Sequence, residues 1–218
     1  MIPLQTLQAI LPATPHLITA HQYKNQFAAA CLNMIYIFDD FQFKFTIAVP
    51  SKPTQLLFSE NLLYIATESG FYGEFSVQTQ LFVSKKDFSQ KITALTNKHI
   101  FLGNVLVFED EHMPLSTSIN FAVEFNNNYL LFDIQGNMFE LRENKLSLLA
   151  EFRPIIQVTA NSQFLAILTD QNHVLLINDQ FQVVKELTKQ GVVIRSISLN
   201  QINDILYAAE NEIFGIME

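Results

Sequence analysis

Short apolar stretches alternate with polar turns along the whole chain. Within these stretches apolar residues recur at every second position, which is the period of a β-strand and not that of a helix. In the segment 41–49, for example, Phe41, Phe43 and Phe45 share one face of the predicted strand, and polar residues occupy the other face. This alternation predicts a half-buried strand.

The clearest unit lies at 153–187 and contains four predicted strands joined by tight turns. A polar turn of Asp170, Gln171 and Asn172 separates the second strand from the third. Asn and Asp favour such turns because their side chains bond to the nearby backbone and because they tolerate a left-handed conformation. The four strands are predicted at Ile155–Ala160, Phe164–Thr169, Val174–Asn178 and Gln182–Leu187.

The same unit recurs along the chain with a nearly constant period. The turns between the second and third strands are centred at Asn33, Gly70, Asn104, Asn137, Asn172 and Asn211. Successive centres are separated by 37, 34, 33, 35 and 39 residues. A period of this size with four strands per repeat is typical of a β-propeller. We therefore predict an all-β fold in which residues 1–218 form a single β-propeller domain.

The last unit lacks one strand because the sequence ends just after Glu212–Met217. The apolar segment Ile2–Ile10 belongs to no other unit, and pairing it with Glu212–Met217 would remove exposed sheet edges. The prediction is therefore six four-stranded blades, with the N-terminal strand closing the C-terminal blade; seven blades are the alternative. In the weaker third unit, Leu115–Thr117 is the predicted fourth strand.

The ends of three predicted third strands carry a recurring motif. They read IYIFDD at 35–40, VLVFED at 105–110 and VLLIND at 174–179. In this respect the chain resembles the WD-repeat β-propeller family, whose third strand ends in Trp-Asp, although this chain has no Trp and no Gly-His dipeptide. The resemblance implies a rigid, usually non-catalytic platform that binds other proteins through its rim and loops.

The charge of the chain restricts its partners. The formal net charge is −8, there are only three Arg residues, and Lys85-Lys86 is the only adjacent basic pair. An acidic protein is repelled by phosphate groups, so neither direct nucleic-acid binding by the isolated chain nor binding to an anionic membrane is expected.

Composition also bears on compartment and solubility. Hydrophobic residues make up 49% of the sequence, enough for a sizeable core, yet no apolar run approaches the roughly 18–20 residues that span a bilayer. Cys31 is the only cysteine, which excludes an internal disulfide and fits a reducing compartment. Pro3 and Pro12 interrupt an N-terminus that makes a poor targeting signal. We expect a soluble intracellular protein, cytoplasmic or nuclear, without membrane insertion.

Several residues have side chains that could act as catalytic or metal-binding groups. The cluster Glu109-Asp110-Glu111-His112 is expected to be a solvated loop, because neighbouring residues at a strand end point to opposite sides. Cys31 lies in the apolar segment FAAACL and is expected to be packed in the core. His16, His21, His99, His112 and His173 lack metal-ligand spacing, so they are expected at the surface or at sheet edges. No catalytic residue, metal ligand or cofactor site is predicted.

Aromatic and Arg residues at loop ends are the candidates for partner binding, because such residues are favoured as interface anchors. Phe71 and Tyr72 directly follow the second turn centre, and His173 follows the fifth. Phe152 and Arg153 lie between the fourth and fifth units, and Arg195 lies in the sixth.

Three functions remain open at this point. The first is a protein–protein interaction scaffold without catalytic activity, a subunit of a larger intracellular complex. The second, by family analogy alone, is an accessory subunit of an RNA-modifying enzyme or ribonucleoprotein, such as the partner of a tRNA methyltransferase. The third is a propeller enzyme with acidic residues at the central channel, which sequence spacing would not reveal.

Overall fold

The computed structural model describes residues 6–7, 11, 13–21, 24–40, 42–109, 111–142, 145–188, 191–199, 205–209 and 212–216. Every regular element in this part of the chain is a β-strand. The described residues include no helix with the length and apolar character required to cross a membrane. The all-β prediction is therefore confirmed.

The strand β1 (Thr6–Leu7) comes first, and the next twenty form five antiparallel sheets of four consecutive strands each. The first sheet contains β2 (Leu17–Ala20), β3 (Gln26–Cys31), β4 (Met34–Asp39) and β5 (Gln42–Ala48). The second contains β6 (Pro53–Ser59), β7 (Leu62–Thr67), β8 (Phe71–Ser76) and β9 (Leu81–Asp87). The third contains β10 (Ala94–Leu95), β11 (Ile100–Leu102), β12 (Val105–Phe108) and β13 (Glu111–Pro114).

The fourth and fifth sheets repeat this plan. The fourth contains β14 (Phe121–Phe125), β15 (Asn128–Phe132), β16 (Asn137–Arg142) and β17 (Lys145–Glu151). The fifth contains β18 (Ile155–Ala160), β19 (Leu165–Thr169), β20 (His173–Ile177) and β21 (Val183–Thr188). In every sheet the strands follow one another as hairpins, so the first strand lies at one edge and the fourth at the other.

The remaining strands form a composite sheet from both ends of the chain. It contains β22 (Ile194–Leu199), β23 (Ile205–Ala209) and β24 (Glu212–Ile216), with β1 beside β24. Thr6 lies opposite Phe214, and Leu7 lies opposite Ile213. This is the pairing predicted for the N-terminal segment, although the rest of Ile2–Ile10 lies outside the described residues.

The sheets are arranged as a β-propeller. The blades built from four consecutive strands number five in the described part of the chain, and not the six or seven predicted from the turn spacing. The difference arises because the described part of the last repeat supplies three strands, and its sheet takes a fourth from the opposite end of the chain. The first strand of this composite sheet, β22, contacts β18 on one side and β2 on the other.

The core lies between neighbouring sheets. One cluster joins Ala28 and Ile35 of the first sheet to Leu63 and Ile65 of the second, and all four side chains are fully buried. Other clusters join the later sheets in the same way, and the composite sheet packs against both the fifth and the first. Since each strand presents alternate side chains to opposite faces, both faces of a sheet can be apolar when both are covered.

The strands differ from the prediction in two details. In the outermost strand β5, Ile47 is 4% exposed, as the alternation predicts, but Phe43 near the start of the strand is 56% exposed. In the third sheet the fourth strand is Glu111–Pro114, and not Leu115–Thr117. Glu111 and His112 therefore belong to a strand, and Glu109, with φ of 55°, belongs to the turn before it. Asp110 lies outside the described residues. An exposed outer strand carries no apolar signal, so the sequence pattern missed it.

Candidate functional site

The innermost strands surround a central channel. Its larger cavity has a volume of about 590 Å³ and a second one about 280 Å³. Leu17, Gln55 and Gln157 line both cavities, so the two are consecutive parts of one channel. Ligands and partner side chains bind preferentially in concave features, which makes the two mouths of this channel the first candidates for function.

Polar side chains of the innermost strands join neighbouring sheets around this channel. The Ile18 backbone N–H donates to Ser196 Oγ, and the Ala20 N–H donates to Ser198 Oγ, each at 2.8 Å. Ser196 in turn donates to Gln157 Oε1 at 2.6 Å, which links the composite sheet to the fifth sheet. Adjacent innermost strands belong to different sheets and do not pair through their backbones. The serine hydroxyls accept the hydrogen bonds of the buried Ile18 and Ala20 N–H groups instead, so these donors are satisfied.

The second, third and fourth sheets are joined in the same way. Thr54 Oγ1 donates to the Ile92 carbonyl at 3.0 Å, and Thr93 Oγ1 donates to the Ile119 carbonyl. Gln55 Nε2 donates to the Thr93 carbonyl at 3.1 Å. Small polar residues on innermost strands therefore have a structural role that the sequence pattern did not reveal.

Two histidines flank β2 at the edge of the first sheet and join that sheet to the second. His16 Nε2 lies 3.0 Å from the Pro53 carbonyl, and His21 Nε2 lies 2.6 Å from the Glu60 carbonyl. A carbonyl only accepts, so Nε2 carries the proton in each case. His21 is 3% exposed, and burial lowers the pKa of both imidazoles more than these hydrogen bonds raise it. Both imidazoles are therefore neutral and hydrogen-bonded between the two sheets, and neither is a free surface group.

Cys31 has the packed position expected of it. Its side chain is 1% exposed, and its thiol lies 3.2 Å from the Ala13 carbonyl. Burial raises the pKa of the thiol to about 11, which keeps it protonated and unreactive at neutral pH. Among the residues that the structure describes, no group of three or more His, Cys, Asp or Glu side chains could hold a metal ion.

The turns between second and third strands and the connections between sheets lie at the same end of the molecule, which we call the turn face. Backbone hydrogen bonds join the connections to the turns. The Phe152 N–H donates to the Gly136 carbonyl at 2.8 Å, and the Phe88 N–H donates to the Gly70 carbonyl at 2.9 Å. In the fifth sheet Asn172 binds the next connection through its side chain, accepting from the Ile194 N–H at 2.7 Å. These bonds hold the loops of the turn face in fixed positions.

All six candidate interface residues lie in the half of the molecule that carries the turn face, but they are not equally accessible. Phe71 is 7% exposed and packs edge-on against Phe82, so core packing occupies its ring. Tyr72 is half-buried and donates to Glu74 Oε1 at 2.8 Å. Burial and this hydrogen bond raise the pKa of its hydroxyl. These two side chains contribute more to the blade than to its surface.

The other four candidates divide between ordinary surface contacts and the channel. Phe152 is half-buried, and Arg153 is exposed, with its Nη1 donating to Gln171 Oε1 at 2.5 Å. His173 Nδ1 contacts Glu186 Oε1. Arg195 is exposed as the second residue of β22 and lines the mouth of the channel on the turn face.

Sequence reasoning missed the residues that accompany Arg195 at this mouth. Lys52 and Lys91 line it as well, and both are exposed. Lys52 directly precedes β6, and Lys91 comes three residues before β10. All three cations lie within three residues of the first residue of an innermost strand. A comparison of the repeats at their innermost strands would show this signal, whereas a comparison at their turn centres does not.

The two mouths of the channel carry opposite charge. Among the residues that the structure describes, the charged ones lining the turn-face mouth are Lys52, Lys91 and Arg195 with the single acid Glu68. At the other end the carboxylates Glu60 and Glu124 line the wider cavity. Charges of one sign at a cleft attract ligands of the other sign. The turn-face mouth can therefore attract anionic groups even though the whole chain is acidic.

Exposed apolar side chains also occur on the turn face. Leu32, Ile134 and Val193 are 66%, 57% and 56% exposed, and each lies in a turn or a connection. Ile156, 44% exposed, lines the channel mouth together with Arg195. Apolar residues beside an Arg are a common composition for the centre of a protein interface.

No protein-family model matches the chain, and no curated protein matches it.

Proposed function

We propose that this protein is a non-catalytic scaffold that binds other proteins through its turn face, as a subunit of a larger assembly. This is also the role implied by its resemblance to WD-repeat propellers. The observation that carries the proposal is the composition of the turn face, where exposed Ile134, Ile156 and Val193 occur with the cations of the channel mouth.

The rigidity of the turn face supports the same role. Its turns and connections are held together by backbone hydrogen bonds such as those of Gly70 and Gly136, and by the side chain of Asn172. A surface that is already ordered loses little conformational entropy when a partner binds.

We further propose that the composite sheet serves as a sixth blade and closes the ring. The hydrogen bonds of Ser196 and Ser198 to β2 support this, as does the contact of β22 with β18. The β1–β24 pairing also covers a sheet edge that would otherwise expose backbone donors and acceptors. A closed ring would keep the six channel-lining strands, and hence the turn face, in a fixed arrangement.

The proposal is tested by affinity purification of the tagged full chain from its native cells. Three forms are compared: the unmodified chain, a turn-face variant with Ile134→Ser and Ile156→Ser, and a control with Leu81→Ser and Val83→Ser. The control residues are 66% and 65% exposed on the outermost strand β9, so both variants lose similar exposed apolar side chains.

We expect stoichiometric partners to be retained by the unmodified chain and the control and lost from the turn-face variant. Loss from the control alone would move the interface to the outermost strands. A chain that stays alone after purification at low salt would contradict the scaffold role itself.

A further inference from the structure

Three cations from separate parts of the chain converge on the turn-face mouth of the channel. Lys52 precedes the second sheet, Lys91 precedes the third, and Arg195 belongs to the composite sheet. None of the three forms an ion pair with a residue that the structure describes. Glu68 lines the same mouth and offsets part of this positive charge. Because the three cations still repel each other, the arrangement is less favourable in the free protein than with a further anion between them.

The surroundings of these cations narrow the class of anion. Ile156 and Phe121 line the same mouth, as do the side chains of Asn120 and Gln157. The mouth thus offers positive charge, amide hydrogen-bonding groups and an apolar surface within one cavity of about 280 Å³. A cavity of this size admits one or two side chains of a partner but not the paired strands of a nucleic acid.

We propose that the turn-face mouth of the channel binds an acidic segment of a partner protein, whose carboxylates lie among Lys52, Lys91 and Arg195 and whose neighbouring apolar side chain packs on Ile156. The guanidinium of Arg195 suits a carboxylate because its planar donors can bind both oxygens. This inference rests on the proposed scaffold function, since it names the chemistry that the turn face recognises.

The inference is tested by fluorescence anisotropy with the full chain and labelled synthetic peptides. The main probe is a short peptide in which pairs of Glu alternate with single Leu residues. Its matched controls carry Gln in place of Glu, or Ser in place of Leu. We expect binding of the Glu/Leu peptide that weakens at high salt, weaker binding of the Glu/Ser peptide, and no binding of the Gln/Leu peptide.

Variants of the protein locate the binding site. We expect binding of the Glu/Leu peptide to weaken on the order of tenfold in each of three variants, Arg195→Gln, Lys52→Gln and Lys91→Gln. Ile156→Ser should instead remove the preference for the Leu-containing peptide over the Ser-containing one. Lys44→Gln and Lys145→Gln are the matched controls, because both residues are exposed cations at other places on the molecule. Arg195→Glu should reduce binding of the acidic peptide and improve binding of a Lys/Leu peptide, a gain that a misfolded variant would not show.

Three results would overturn the inference. Equal weakening by the control variants would mean that the peptide responds only to overall charge. Equal binding of the Gln/Leu peptide would remove the role of carboxylates. Tighter binding of a phosphorylated peptide or a thymidine oligomer through the same three cations would assign the mouth to phosphate groups instead. If partner capture still depends on Ile134 and Ile156 while the peptide fails, the scaffold function stands and only the carboxylate assignment is lost.

Discussion

The innermost and outermost strands of this propeller have opposite environments. All four residues of the innermost strand β2 are buried, whereas six of the seven residues in the outermost strand β9 are exposed. Both strands contain apolar residues, such as Leu17 and Ile18 in β2 and Leu81 and Val83 in β9. The difference is set by neighbours, because innermost strands lie between two other sheets and the channel, while outermost strands face solvent.

This contrast shows where the fold is held together. Innermost strands and the residues directly beside them carry the serine, threonine, glutamine and histidine side chains that join neighbouring sheets. The outermost strands contribute few such bonds, and their apolar residues add little burial. The loss of stability caused by a substitution should therefore depend strongly on how far the residue lies from the channel, and much less on the type of residue replaced.

The largest expected effect comes from replacing the same residue type at a buried position of a second strand and at an exposed position of an outermost strand. Phe132 on β15 is 0% exposed, and Phe43 on β5 is 56% exposed. Phe132→Ala should cost about 3–5 kcal/mol of unfolding free energy through lost burial and a cavity. Phe43→Ala should change it by about 0.5 kcal/mol or less. Urea denaturation of both variants measures the difference, and similar losses would contradict the contrast between inner and outer positions.

A smaller effect is expected at two glycines with positive φ. At Gly136, φ is 98° and a Cβ would lie 2.4 Å from the Arg153 carbonyl oxygen, whereas at Gly191, φ is 74° and no atom lies within 4 Å. Gly191→Ala should cost about 1–2 kcal/mol for the left-handed backbone alone. Gly136→Ala should reduce stability further, because the connection after β17, which is hydrogen-bonded to Gly136, must also move to make room for the Cβ. Thermal melting of the pair tests this, and equal losses would mean that the connection is not held rigidly.

The hydrogen bonds between sheets can be tested with a matched pair of serines. Ser196→Ala removes the acceptor for the Ile18 N–H and should cost about 1–3 kcal/mol, since a buried donor is left unpaired. Ser147→Ala on the exposed outermost strand β17 should change stability by about 0.5 kcal/mol or less. Hydrogen exchange should also report faster exchange at Ile18 in the first variant; unchanged protection there would argue against this bond.

The smallest effect concerns pH. Burial lowers the pKa of His16, His21 and His99 below the usual value of about 6.5 that they regain on unfolding. Below that value the unfolded chain binds more protons than the folded one, so stability falls as the pH drops from the unfolded pKa through the folded pKa. Above the unfolded-state pKa the histidines are neutral in both states, and their full contribution to the stability of the folded state is present.

A melting series on either side of that window tests the role of the inner histidines. His21→Gln should reduce the loss of melting temperature on acidification, because a neutral amide cannot be protonated there. His112→Gln, on the exposed outermost strand β13, is the control and should follow the unmodified chain. If both variants respond like the unmodified chain, His21 makes no contribution to acid sensitivity.

Much of the architecture could be predicted because it depends on local periods. The alternation of apolar residues and the turn residues predicted Ile155–Ala160 and Val105–Phe108 with the bounds that the structure has. The pattern failed at Glu111–Pro114, where an exposed outer strand needs no apolar residues, and at Phe43, where alternation did not lead to burial. Of the candidate site, Arg195 was predicted, but Lys52 and Lys91 were not.

The sequence by itself determined the strands, their turns and the repeat, because these follow from side-chain alternation and backbone preferences within a few residues. Only the tertiary structure decided which polar residues would meet. Ser196 and Ile18 are 178 positions apart, and they bond because the two ends of the repeat array come together. The cations of the channel mouth converge for the same reason, since neighbouring innermost strands bring residues that are distant in sequence to a common axis. The local sequence pattern carries no information about that proximity.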